Sequence, residues 1–127
     1  MKSFEEMART DRETSVLETT QITPEVITYV VDRIAEGVRP VKIILFGSQT
    51  KQAVSEGGDL DLFVVQDGRK PNRQVRREIE RLLNERRFGL DLIVRTQAEF
   101  ESNLLDGNPF YVDDIVGLGR VIYEKSA

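Results

Sequence analysis

At 127 residues the chain is sized for one domain with a single buried core. Hydrophobic residues at 39% and charged residues at 31% suit a globular protein, and no apolar run approaches the roughly 18 residues a membrane span needs. The net charge of -4 gives no bulk attraction to nucleic acid, and the absence of His and Cys excludes imidazole bases, thiolate nucleophiles, disulfides and conventional zinc sites. Acid–base or metal work therefore falls to Asp and Glu, whose hard oxygens suit magnesium or calcium.

Residues 1–21 are polar and weakly periodic, and are expected to form an N-terminal arm or tail ahead of a folded domain over 22–127. The opening Met1-Lys2-Ser3-Phe4-Glu5-Glu6 lacks a secretory apolar core, so a cytoplasmic location is expected. The first clear element starts at Thr23-Pro24: Thr23 suits an N-cap, Pro24 the first helical position, and Ile22 with Ile27 a hydrophobic staple. Val26, Ile27, Val30, Val31 and Ile34 share one helical face, and Gly37 is the expected stop.

After Arg39-Pro40 the continuous apolar run Val41–Phe46 reads as a strand buried on both faces. Gly47–Gly58 follows as a polar loop with room for a helical turn over Gln49–Val54, and Asp59–Val65 is a second strand. Asn72–Phe88 is predicted as one long helix with Val75, Ile79, Leu82 and Leu83 inward, stopped by Gly89 before a third strand, Leu90–Arg95. Thr96 and Glu99 fit a capping box for a short helix over Gln97–Leu105. A further helical segment from Asn108-Pro109 and a last strand, Arg120–Tyr123, complete an α-β-β-α-β-α-α-β order. The expected fold class is α/β (α+β), a small mixed β-sheet with helices packed on it.

Chemistry concentrates around the second strand. Side chains alternate along a strand, so Asp59 and Asp61 share a face with Cα atoms about 6.5–7 Å apart, within reach of one cation or a close pair. Leu60, Leu62 and Val64 take the opposite, core side. Asp91 sits in the same setting, Gly-Leu-Asp-Leu-Ile-Val, and completes a three-carboxylate cluster if its strand pairs beside Asp59–Val65. Three close carboxylates repel one another unless a cation is present. Gly47-Ser48 supplies a turn whose backbone and hydroxyl can hold phosphate oxygens, and Lys51 adds positive charge nearby.

Together, Ile44-Leu45-Phe46-Gly47-Ser48 and Asp59-Leu60-Asp61-Leu62 resemble the signature of the DNA polymerase beta-like nucleotidyltransferase superfamily, and within it the minimal nucleotidyltransferase branch found in HEPN/MNT toxin–antitoxin pairs. The resemblance implies that Asp59, Asp61 and Asp91 hold two magnesium ions, with Asp91 also helping to activate an acceptor hydroxyl. It implies that Gly47 and Ser48 bind the β,γ-phosphates of a nucleoside triphosphate, ATP by preference. In that branch the usual partner is an all-helical HEPN ribonuclease toxin, and the implied activity is transfer of AMP to a tyrosine of that toxin, the transferase acting as antitoxin. The chain departs from many relatives at Gln49 and Gln52, which replace an Arg and a Gly, and at Gly58, where Ser is common. Two alternatives stay open: a weak or inactive antitoxin that neutralises by binding, and a small-molecule nucleotidyltransferase with a pocket built by a homo-oligomer.

Arg69, Lys70, Arg73, Arg76, Arg77, Arg81, Arg86 and Arg87 surround the second long helix, interleaved with Glu78, Glu80 and Glu85. Such a stripe suits a solvated face with i,i+3 and i,i+4 pairs or, as a binding surface, RNA or an acidic partner. No aromatic residue interleaves with it to stack bases, which argues against direct nucleic-acid readout.

Overall fold

The computed structural model describes residues 16–47, 59–126 and the backbone of Ser55–Glu56. Its strands are β1 (Gln21–Ile22), β2 (Lys42–Phe46), β3 (Ser55–Glu56), β4 (Asp59–Gln66), β5 (Gly89–Thr96) and β6 (Arg120–Glu124). The helices are α1 (Pro24–Val38), α2 (Asn72–Leu82) and α3 (Gln97–Leu105), followed by a π-helical segment, Phe110–Gly117. Among the described residues no helix is long and apolar enough to cross a membrane.

Helix α1 begins where its cap signals place it. The Thr23 hydroxyl accepts from the Val26 N–H at 3.2 Å, satisfying one of the free N–H groups of the first turn. The helix runs through Gly37 and ends at Val38; Arg39 adopts the left-handed conformation (φ 48°) and turns the chain out. Thr96 and Glu99 make the reciprocal capping box at the start of α3.

Helix α2 ends at Leu82, short of the predicted Phe88. Continuing the stripe Val75, Ile79, Leu82 by one more turn would press Arg86 towards the core, an uncompensated charge in apolar surroundings. Instead the chain turns at Leu83. The Arg33 guanidinium donates to the Leu82 carbonyl at 3.3 Å and that of Arg86 to the Leu83 carbonyl at 3.1 Å, so two cations meet the negative end of the helix dipole. Phe88 then enters the core ahead of β5.

The main sheet has the order β5-β4-β2-β6. Strands β4 and β2 pair antiparallel, as do β2 and β6, whereas β4 and β5 pair parallel over eight aligned positions, Asp59↔Gly89 to Gln66↔Thr96. The parallel step follows from α2, which carries the chain from the end of β4 back to the start of β5. A separate two-stranded sheet pairs β1 with β3 antiparallel; strands this short leave no periodicity to read in the sequence.

Alternation along the strands produces two cores. On one face Ile43, Leu45, Leu60, Leu62, Val64, Leu92 and Val94 pack against the stripes of α1 and α2, with Leu17 and Ile22 joining them. On the other, Ile44, Phe46, Phe63 and Val65 meet Phe100 of α3 and Tyr111 and Ile115 of the π-helical segment. Phe63 is fully buried there, with ring centroids 5.6 Å from Phe100 and 5.5 Å from Tyr111. The layers are therefore helix, sheet, helix, and both faces of β2 are dry, as its uninterrupted apolar run requires.

Candidate active site

The first residues of β4 and β5 break the apolar pattern on one face only. On β4 the side facing α3 reads Asp59, Asp61, Phe63, Val65; on β5 it reads Asp91, Ile93, Arg95. Carboxylates stand at the strand starts and give way to apolar residues where α3 and the π-helical segment cover the sheet. Leu60, Leu62, Leu90 and Leu92 hold the opposite side of the same stretch in the α1–α2 core. The amphipathic starts of the strands thus place acid on one surface and leucine on the other.

Parallel register then brings the carboxylates of the two strands together. Asp61 stands directly opposite Asp91, and Asp59 opposite Gly89. Across the antiparallel pair Asp61 faces Phe46, the last residue of β2, so Gly47 follows beside it. Asp59 and Asp91 are exposed, whereas Asp61, in the centre, is partly covered.

Two glycines make room for this row. A Cβ on Gly47 would run into Oδ2 of Asp61, and one on Gly89 into Oδ1 of Asp59. Gly47 also has φ 74°, a conformation that L side chains rarely adopt. The sequence reading assigns Gly47 to phosphate and Gly89 to helix termination; the structure gives each the further task of seating a carboxylate against bare backbone. The signal for Gly89 was that Gly89-Leu90-Asp91-Leu92 repeats Asp59-Leu60-Asp61-Leu62 with Gly in place of the first acid.

The electrostatics centre on Asp61, a partly covered carboxyl between two like charges. The Asp61 carboxyl is pushed up to about 6, first by burial, then by the charges of Asp91 and Asp59, and further by a hydrogen bond with Asp91. A cation here would relieve that repulsion, and a set made wholly of carboxylate oxygens suits a hard divalent ion. The row is open: among the described residues no three acidic side chains are already gathered at metal-binding distance. Ser48 and Lys51, the expected phosphate-side residues, lie outside the described residues, as do Gln49, Gln52 and Gly58.

The arginine-rich α2 divides its charges. Lys70 pairs with Glu78 at 2.9 Å and Arg76 with Glu80 at 3.2 Å, while Arg86 turns inward to the Leu83 carbonyl. Lys70 holds the Glu78 carboxyl below its usual range. Among the described residues Arg73 has no ion-pair partner. The helix face is thus partly the internally paired surface its spacing predicts, with a residue of uncompensated positive charge.

A sequence profile described as "Nucleotidyltransferase domain" matches residues 27–122. The chain also superposes on a Sulfolobus solfataricus protein assigned as a nucleotidyltransferase and solved at 1.40 Å. The TM-score is 0.52 at 15% identity, covering 98% of this chain and 91% of that one. At such identity the likeness is one of fold. No curated protein matches this sequence.

Proposed function

Because the chain belongs to the nucleotidyltransferase domain family, we propose that it transfers a nucleoside monophosphate, AMP from ATP by preference, to a hydroxyl of a separate protein in a magnesium-dependent reaction. The observation that carries this reading is the register-aligned row Asp59, Asp61 and Asp91, with Asp61 raised to about 6 by burial and then by the charges of its neighbours. A divalent cation would offset both the burial of Asp61 and the repulsion from its neighbours.

Asp59 and Asp61 would hold two magnesium ions and Asp91 one of them; the ions would supply charge neutralisation and in-line alignment of the triphosphate. The Gly47 turn, with Ser48 and Lys51, would hold the β,γ-phosphates. Asp91 would orient the acceptor hydroxyl and accept its proton as the oxygen bonds to the α-phosphorus. The bond to the β-phosphate breaks and pyrophosphate leaves. The acceptor we favour is a tyrosine of an all-helical HEPN-type toxin, which makes this chain the antitoxin of the pair.

Incubation with α-labelled ATP, magnesium and the product of the adjacent gene should label that partner, and Asp59→Asn or Asp61→Asn should abolish the label. A stable complex that neutralises the partner without any label, unchanged in both variants, would refute catalysis and assign the chain to neutralisation by binding. Label on a small molecule instead would move the acceptor out of the protein class.

A further inference from the structure

Strand β5 closes one side of the main sheet, and its outer edge is unpaired among the described residues. Its eight positions run against β4 without a register shift. The opposite edge differs: β6 shifts register against β2 between Ile43 and Ile44, an irregularity of the kind that blunts an edge against further pairing. Alongside β5 runs a groove of about 300 Å³ lined by Asn72, Arg73 and Arg76 of α2 and by Leu92–Arg95. Every charged residue lining it is an arginine. Arg76 is shared with Glu80, Arg95 donates to the Val94 carbonyl at 2.7 Å, and Arg73 is unpaired among the described residues. Arg95 shares its face with Ile93 and Asp91, whereas Leu92 and Val94 lie on the α2 side, so positive charge flanks the edge from both faces.

We propose that this edge is the docking site for an extended, acidic segment of the acceptor protein, which adds to the sheet as a strand beside β5. The unpaired edge offers alternating N–H donors and C=O acceptors, which a peptide backbone complements and a phosphodiester chain, having no donor for the carbonyls, does not. No aromatic side chain lines the groove to stack a base. A second copy of this chain would bring its own Arg73, Arg76 and Arg95 to the same seam. Carboxylates on the incoming strand satisfy all three arginines, and those on the two sides of its pleat reach opposite flanks. The site lies on the strand that carries Asp91: at about 3.3 Å per residue, Arg95 is roughly 13 Å along β5 from that carboxylate. A strand seated in the groove therefore runs towards the reacting end of the sheet. The choice of a protein occupant rests on the reading that the acceptor is a separate protein; the binding itself does not depend on catalysis.

The test uses the full chain without nucleotide and a fluorescein-labelled peptide of alternating Glu and Thr, long enough to span β5. Controls are the same peptide with Lys for Glu and an oligothymidylate of matching length. Fluorescence anisotropy at about 50 mM salt, where charge contacts are weakly screened, should show the acidic peptide binding at least ~tenfold tighter than either control. Hydrogen exchange at Leu92–Arg95 should slow on binding. The double variant Arg73→Glu/Arg76→Glu, checked for native circular dichroism, should weaken the acidic peptide by about tenfold or more. Asp61→Asn should leave binding unchanged, so that retained docking is scored separately from any failure of nucleotidyl transfer. Equal binding by the double variant, protection at a different element, or tighter binding of oligothymidylate would each overturn the proposal. So would β5 protection in the free protein that rises with protein concentration, which would assign the edge to a second copy.

Discussion

Replacing Asp61 with Asn should make the metal-free protein more stable at neutral pH, although it removes a central residue of the candidate site. The Asp61 carboxyl rises from its ordinary 3.8 to about 6 in the folded chain. Taken in full, at about 1.4 kcal/mol per pH unit, a rise of that size costs the fold ~3 kcal/mol once the group ionises. The side chain is only partly covered, and screening by water reduces the expected cost to about 1 kcal/mol. The sign follows from proton binding. Between its two pKa values the native state binds more protons than the unfolded chain, so stability falls as pH rises from about 4 to 6 and stays lowered above that range. Urea unfolding in EDTA should therefore show Asp61→Asn and wild type nearly equal near pH 4, with the variant about 1 kcal/mol ahead at pH 8. Magnesium should close the gap from the wild-type side, since a cation at about ten times its Kd adds ~1.4 kcal/mol to a protein that binds it only when folded. A variant no more stable than wild type at pH 8 in EDTA, or a gap that does not change with pH, would refute the account of an electrostatically strained row.

Gly89→Ala should keep the fold, because Ala suits a strand at least as well as Gly, yet its Cβ must displace the Asp59 carboxylate; magnesium affinity by calorimetry should fall by about tenfold or more. Phe63→Ala removes the ring that joins β4 to Phe100 and Tyr111 and should cost about 3–5 kcal/mol in chemical denaturation, with an unfolded chain as the outcome if total stability is smaller. Thr23→Ala deletes the hydroxyl that caps α1 and should cost about 1 kcal/mol by the same measurement, with no change in magnesium affinity.

Where the sequence was legible, local chemistry and tertiary demand agreed. Thr23-Pro24 and the Thr96–Glu99 box fixed two helix starts because caps are made within one turn. The unbroken run of β2 and the half-leucine pattern of β4 and β5 told which faces would be covered. The same alternation set Asp59, Asp61 and Asp91 on one side, and the structure aligns the strands that carry them. What escaped was non-local. The carbonyl at the end of α2 is met by Arg33, which lies in α1 and reaches Leu82 through a contact no window around residue 82 contains. Gly37 reads as a stop from its type alone, yet the chain turns at Arg39. The pairing of β1 with β3 joins two-residue strands through contacts that neither segment signals. The π-helical form of Phe110–Gly117 likewise carries no signal in its residues, which suit an ordinary helix equally well.

The parallel pairing of β4 with β5 also ties chemical competence to the completion of folding. Asp91 meets Asp61 only after the chain has crossed over through all of α2, and such distant pairings form late because the intervening loop must close first. Register there is unforgiving: a slip of β5 by one residue would turn Asp91 towards α1 and α2 and push Leu90 and Leu92 out among the acids. The leucines guard against the slip by their need for burial, while the like charges of the carboxylates oppose one another at the strand starts unless a cation neutralises them. A divalent ion seated on the row would favour only the in-frame arrangement. Its affinity would then act as a proofreader of sheet assembly, withholding the reactive centre from any chain in which β5 has docked out of step.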